Sequence, residues 1–177
     1  VKNRKIVITG GPGTGKSSII HNLEDKGEKC LHEISRQVTL EAQKEGIDQL
    51  FLEQPLLFSE KLLQGRLNQF KEAEQLKGNH IFIDRGLPDV VAYMDYFGTN
   101  YPELFEDTCK QNQYDLIFIL PPWKEIYTSD NERYESYEEA LKISSYLYST
   151  YRRYGYTPIE VPKSSVEERT NFILDKI

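Results

Sequence analysis

Short unbroken apolar runs alternate along this chain with longer stretches in which apolar residues return every three or four positions. Lys5-Ile6-Val7-Ile8-Thr9, Ile81-Phe82-Ile83-Asp84 and Leu116-Ile117-Phe118-Ile119-Leu120 are such runs, and their length and β-branched content predict strands buried on both faces. Lys29-Cys30-Leu31-His32-Glu33 and Pro158-Ile159-Glu160-Val161 read as two shorter strands. Helical spacing starts at Ser17, returns on Ile34, Val38 and Ala42 until Gly46, and continues from Pro55 to Leu76 on Leu56, Phe58, Leu62, Leu63, Leu67 and Phe70. Further helices are predicted from near Pro88 to Phe97, from Pro102 to Lys110, from Ser136 to Tyr154 and from Ser164 to Ile177. Strands and helices alternate to the end. That order predicts an α/β fold of three layers, a parallel five-stranded sheet with helices on both faces and ligands at the carboxyl ends of its strands.

Length and composition narrow the picture only slightly. The 177 residues match a single domain and show no internal repeat, low-complexity tract or linker. Charged residues make up 28% of the chain and no apolar run approaches the ~18 residues of a membrane span, so a soluble protein is expected. Val1 leads almost directly into the first strand, which leaves no room for a signal peptide's apolar core and sets the expectation of a cytoplasmic protein. The net charge of −6 argues against a broad basic face for a nucleic-acid duplex, so any polyanion must be captured locally. Cys30 and Cys109 lie far apart without metal-ligand spacing, which predicts reduced thiols.

Local capture of a polyanion is what the stretch after the first strand suits. Gly10-Gly11-Pro12-Gly13-Thr14-Gly15-Lys16-Ser17 fulfils the pattern G-x-x-x-x-G-K-[ST] between a predicted strand and a predicted helix. Glycines let backbone N–H groups converge on phosphate oxygens without intervening Cβ atoms, and Pro12 stiffens the loop. The following helix directs its positive end at the phosphates, Lys16 adds a point charge and the Ser17 hydroxyl is suited to Mg²⁺. Gly11, Pro12, Gly13, Thr14, Gly15, Lys16, Ser17 and Ser18 are therefore the expected nucleotide-binding residues, with ATP and Mg²⁺ as cofactors. No N-K-x-D motif points to guanine; the nearest string, Asn112-Gln113-Tyr114-Asp115, lacks the lysine.

Further chemistry is expected along the same sheet edge. Asp84 closes the third strand and is the leading metal-side carboxylate, sharing Mg²⁺ with Ser17. Arg85 follows it, open between a contact to phosphate or substrate and a plain salt bridge. Glu33 ends the second strand and Arg36 lies three residues on, which suggests a base or ribose anchor with a partner cation, or merely an ion pair on a helix surface. The segment 121–135 carries Trp123, Tyr127, Asp130 and Arg133 without a core pattern and reads as a lid, with Arg133 its favoured cation. Arg152 and Arg153 are alternatives that also suit a helix C-terminus. The many tyrosines of the last third are explained mostly by packing.

These motifs resemble the P-loop group that contains the ribosylnicotinamide-kinase domain of the bifunctional NAD-biosynthesis and regulatory protein, together with small AAA-type ATPases. The resemblance rests on Gly10 to Ser17, Glu33-x-x-Arg36, Ile83-Asp84-Arg85-Gly86, Leu120-Pro121-Pro122-Trp123 with Asp130-x-x-Arg133, and Gly155-Tyr156 followed by Ile159 to Pro162. It implies a nucleoside- or nucleotide-kinase-like sheet of order 2-3-1-4-5, Mg-ATP on the loop and a lid after the fourth strand. It leaves the acceptor open. A small-molecule kinase transferring the γ-phosphoryl group, with Lys16, Asp84, Glu33 and Arg133 as its catalytic residues, is the leading expectation. A nucleotide-dependent regulatory ATPase or GTPase with slow hydrolysis is the alternative.

Overall fold

The computed structural model describes residues 2–127 and 135–177. Its centre is β1 (Arg4–Gly10), flanked by β3 (His80–Asp84) and β4 (Leu116–Leu120), with β2 (Cys30–Leu31) and β5 (Ile159–Glu160) at the edges. The order is β2-β3-β1-β4-β5 and every pairing is parallel. Ile6, Val7 and Ile8 are wholly buried because the central strand has neighbours on both sides and helices on both faces.

Alternation along the strands divides the core. Ile6, Ile8, Phe82 and Phe118 face α1 (Lys16–Asp25) and α8 (Val166–Asp175), where Ile19, Ile20, Leu23 and Ile173 meet them. Val7, Ile81, Ile83 and Ile117 face α4 (Pro55–Gln75) and α5 (Leu87–Phe97), packing with Leu63, Phe70, Val91 and Met94. Phe82 and Phe118 are fully buried, so truncating either to Ala would cost about 3–5 kcal/mol. α2 (Ser35–Lys44), α6 (Leu104–Gln111) and α7 (Tyr137–Arg153) complete the layers, with α7 packed on α5 through Ala92, Ile143 and Leu147. Among the described residues no helix is long and apolar enough to cross a membrane.

The predicted order of elements is the observed one, with local departures. β2 is shorter than the expected strand because the chain turns at Glu33, whose carboxylate is taken up by the start of α2. β5 is likewise reduced to Ile159–Glu160. A short helix, α3 (Leu50–Glu53), buries Leu50 under α4 in a stretch that periodicity left unassigned. Cys30 and Cys109 are free thiols, both pushed up to about 12 by burial.

Candidate active site

The register sets the site at one edge of the sheet. Ile8 pairs with Asp84 and Gly10 with Leu120, so the phosphate loop, the end of β3 and the end of β4 emerge side by side. Gly13 and Gly15 have φ of 74° and 85°, in the left-handed region where a Cβ is strained. Gly15 is the N-cap of α1 and supplies no side-chain cap, so the first N–H groups of that helix are left for an anion. Thr14 Oγ1 donates to the Gly11 carbonyl at 3.1 Å and closes the loop on itself. Ser17 and Ser18 stand exposed at the mouth.

Lys16 folds back so that its ammonium contacts Asp84 Oδ1, joining the loop to the end of β3. Asp84 is 5% exposed. Burial and the neighbouring Arg85 outweigh that contact and hold the Lys16 ammonium below its ordinary pKa. The loop's lysine is thus poised against one carboxylate in a site short of water.

Arg85 is the one non-glycine residue with positive φ among those described, at 71°. Such a backbone costs roughly 1–2 kcal/mol and persists only when its surroundings fix it. Here they do: its N–H donates to the Ile8 carbonyl at 3.0 Å, and its guanidinium donates to Asp89 Oδ2 at 2.9 Å. Burial works against the Arg85 charge, but Tyr93, Asp89, Glu33 and Asp84 outweigh it and raise its pKa.

Asp89, on the first turn of α5, is fully buried and receives hydrogen bonds from several directions. Thr9 Oγ1 donates at 2.6 Å, the Gly86 N–H at 3.0 Å, and the Tyr151 hydroxyl of α7 joins them. Burial alone would raise the Asp89 pKa, yet Arg85, Arg66 and these donors bring it below its usual value. Gly86 is required by close approach: a Cβ there would lie 2.8 Å from the Tyr151 hydroxyl and 3.0 Å from the Tyr114 ring.

Glu33 is equally saturated. Its carboxylate accepts from the N–H groups of Ile34 at 2.9 Å and Ser35 at 2.8 Å, from the Ser35 hydroxyl, and from Arg66 at 3.2 Å. Burial opposes ionisation, but Arg66, Arg85 and Ser35 prevail and bring its pKa down to about 2. A carboxylate so weakly basic suits the anchoring of a hydroxyl better than the removal of its proton. The expected Glu33 and Arg36 ion pair is not what forms. Arg66, from α4, takes Glu33, while Arg36 is exposed on α2 because the three-residue offset spans the turn that starts the helix.

The structure therefore brings Lys16, Asp84, Arg85 and Glu33 to one sheet edge and leaves Arg36 outside their network. Arg133 and Asp130 lie outside the described residues. Arg153 pairs with Asp95 and Glu106, away from the loop. Sequence reasoning missed Arg66, Asp89, Tyr151 and also Arg169, which donates from α8 to the Thr14 carbonyl of the loop at 3.0 Å. The first three carried weak signals: a charge within the apolar face of α4, an acid four residues after Arg85, and a tyrosine in a run of tyrosines.

Comparison of this chain with known proteins gives three results. The family model described as "AAA domain" matches residues 5–169. Among solved structures, deoxyadenosine kinase from M. mycoides with products dCMP and a flexible dCDP bound aligns with a TM-score of 0.72 at 18% identity, covering 97% of each chain. The NadR protein in complex with NR gives 0.72 at 15% identity, over 98% of this chain but 49% of that one, so this chain spans about half of NadR. Thymidylate kinase from Ehrlichia chaffeensis gives 0.64 at 15% identity over 99% of both. No curated protein matches the sequence. At these identities the likeness is one of fold.

Proposed function

Because the chain belongs to the AAA domain family across residues 5–169, we propose that it is a P-loop kinase that moves the γ-phosphoryl group of ATP to a small nucleoside- or nucleotide-like acceptor. The observation that carries this reading is the contact of Lys16 with Asp84 beside the uncapped start of α1, at the edge where β1 and β3 end. The deoxyadenosine and thymidylate kinases and NadR that share the fold support the acceptor class.

The donor set fits Mg²⁺: the Ser17 hydroxyl and the Asp84 carboxylate are hard oxygen ligands, and such ions take one or two protein groups and complete their shell with phosphate oxygens and water. When bound, Mg²⁺ would draw charge from the phosphates. The chain's own residues do the rest. The N–H groups of Gly11 and of residues 13–17, with the Lys16 ammonium, hold the β- and γ-phosphates; Lys16 leaves Asp84 for them when the nucleotide enters. Glu33, fixed by Arg66 and the start of α2, orients the acceptor hydroxyl. Its oxygen attacks the γ-phosphorus, the bond to the β,γ-bridging oxygen breaks, ADP departs and the hydroxyl proton passes to solvent. Arg85, held by Asp89, faces the same space as a cation for the acceptor or the transferred group. Arg133 is assigned from the sequence as the cation of a lid, and Arg133→Ala should lower kcat at least about tenfold with little change in nucleotide affinity.

ATP turnover measured with and without a panel of nucleosides and nucleoside monophosphates, nicotinamide riboside included, tests the reading. Stimulation by one acceptor, with a phosphorylated product, is expected. Slow hydrolysis indifferent to every acceptor would replace the kinase with a nucleotide-dependent switch.

A further inference from the structure

Arg169, on α8, is used by nothing in the proposed reaction, yet it is among the most deeply buried cations of the described chain. It is 5% exposed, and its Nη1 donates to the Thr14 carbonyl at 3.0 Å. Its Nε is buried without a hydrogen-bond partner among the described residues. The Trp123 ring, just beyond β4, covers the guanidinium with its centre 5.4 Å from Cζ. No carboxylate among the described residues pairs with it, and burial alone lowers its pKa. Buried charges are ordinarily paired, so an unpaired guanidinium directly behind a phosphate loop calls for an anion.

Its position defines what it can do. All described peptide bonds are trans, so the Thr14 carbonyl and the Gly15 N–H point to opposite sides of one plane. By holding the carbonyl, Arg169 turns the Gly15 N–H the other way. The glycine is part of the device: a Cβ on Gly15 would lie 3.0 Å and 3.1 Å from the two terminal nitrogens of Arg169, so the guanidinium fills the space that glycine leaves. Helix α8 is itself pinned to α1, where Asn22 Nδ2 donates to Thr170 Oγ1 at 2.8 Å and Lys26 reaches Glu167 at 2.6 Å.

We propose that Arg169 is a positioning residue of the nucleotide site: it fixes the Thr14–Gly15 peptide with its N–H toward the phosphates and places behind the loop a positive charge that no described carboxylate pairs and that a bound polyphosphate would balance. Trp123 shields that charge and ties it to the start of the segment after β4. The proposal rests on the reading of Gly10–Ser17 as a nucleotide site. It attributes to Arg169 a contribution to phosphate affinity that is independent of base and acceptor.

Calorimetry on the full chain with Mg-ATP and with Mg-tripolyphosphate, which has neither base nor ribose, tests it. Arg169→Met should weaken both at least about tenfold, raise KM for ATP more than it lowers kcat, and leave the unliganded Tm unchanged or higher. Arg169→Lys keeps the charge but loses the planar fork, and should recover only part of the affinity. Unchanged affinity for both probes in Arg169→Met, with a lower unliganded Tm, would make Arg169 a scaffold residue and overturn the proposal. If Arg169→Met does not fold, Arg169→Lys decides, and wild-type affinity in that variant overturns it. If the unmodified protein binds neither probe, and Lys16→Ala behaves identically, the nucleotide reading falls and this proposal with it; binding by the unmodified protein that Arg169→Met retains defeats this proposal alone.

Discussion

The two halves of the site are built on opposite electrostatic plans. On the side proposed to hold the acceptor each carboxylate is matched: the half-buried Glu33 by Arg66 and the start of α2, the buried Asp89 by Arg85, Thr9, Gly86 and Tyr151. On the phosphate side, Arg169 has no carboxylate among the described residues and α1 has no side-chain cap. Lys16 sits at the seam, borrowing Asp84 from the end of β3. A saturated network is rigid and expensive to disturb, whereas an unsatisfied one contributes little to the empty fold and much to an anion that completes it. The acceptor wall is therefore a finished scaffold, and the phosphate loop is a half-built ion pair.

That contrast breaks most visibly at Asp89. Asp89→Ala leaves Arg85 charged and largely out of water and strands the Thr9 and Tyr151 hydroxyls, so urea unfolding should show a loss of about 3–5 kcal/mol. Tyr151→Phe removes one donor and should cost about 1–2 kcal/mol. If Asp89→Ala unfolds with the midpoint of the unmodified protein, the network is ornamental and the two halves do not differ in kind.

The phosphate side should respond in activity rather than in stability. Lys16→Ala should lower turnover at least about a hundredfold while leaving a cooperative unfolding transition, because Lys16 answers phosphate charge and not core packing. Retained turnover would remove the loop from the chemistry altogether. Asp84→Asn should have a smaller effect, about tenfold in the Mg²⁺-dependent rate, with binding of metal-free nucleotide less affected. Equal losses with and without Mg²⁺ would mean that Asp84 acts only as the resting partner of Lys16.

How much of this was readable in the sequence follows the same division. The phosphate loop is local: its glycines, Lys16 and Ser17 are adjacent in the chain, and the flanking strand and helix declare themselves by periodicity. Asp84 could be found because it ends an apolar run. The acceptor side is assembled from β1, β3, α2, α4, α5 and α7, so no spacing announces it. Arg66 sits among Leu62, Leu63 and Phe70 on the inward face of α4 and could have been flagged as a charge out of place. Nearness in sequence suggested Arg36 for Glu33, but the turn into α2 sends Arg36 outward and Arg66 arrives from a different helix. Arg169 lies within a predicted helix well over a hundred residues from Thr14, and only the fold reveals that they meet.

Glu33 provides the finest test of the difference between the halves. Its folded pKa of about 2 lies below the ~4.3 of an unfolded glutamate, so its ionised form stabilises the fold fully above the unfolded value. Protonation removes that contribution as pH falls from about 4.5 toward 2. Its side chain is 27% exposed, and the contribution at neutral pH should be about 1–3 kcal/mol. Glu33→Gln keeps an acceptor for the N–H groups of Ile34 and Ser35 but offers Arg66 no charge. Urea unfolding of the two proteins should thus differ most near pH 7, with the gap narrowing below about pH 4.5. In activity, Glu33→Gln should lower acceptor affinity without creating or removing a titration between about pH 5.5 and 8, since Glu33 stays ionised throughout that range. A stability gap that is the same at about pH 2 as at pH 7, or an acid limb near neutrality that disappears with the substitution, would show that Glu33 titrates as an ordinary or an elevated carboxylate. The acceptor wall would then be no more finished than the loop it faces.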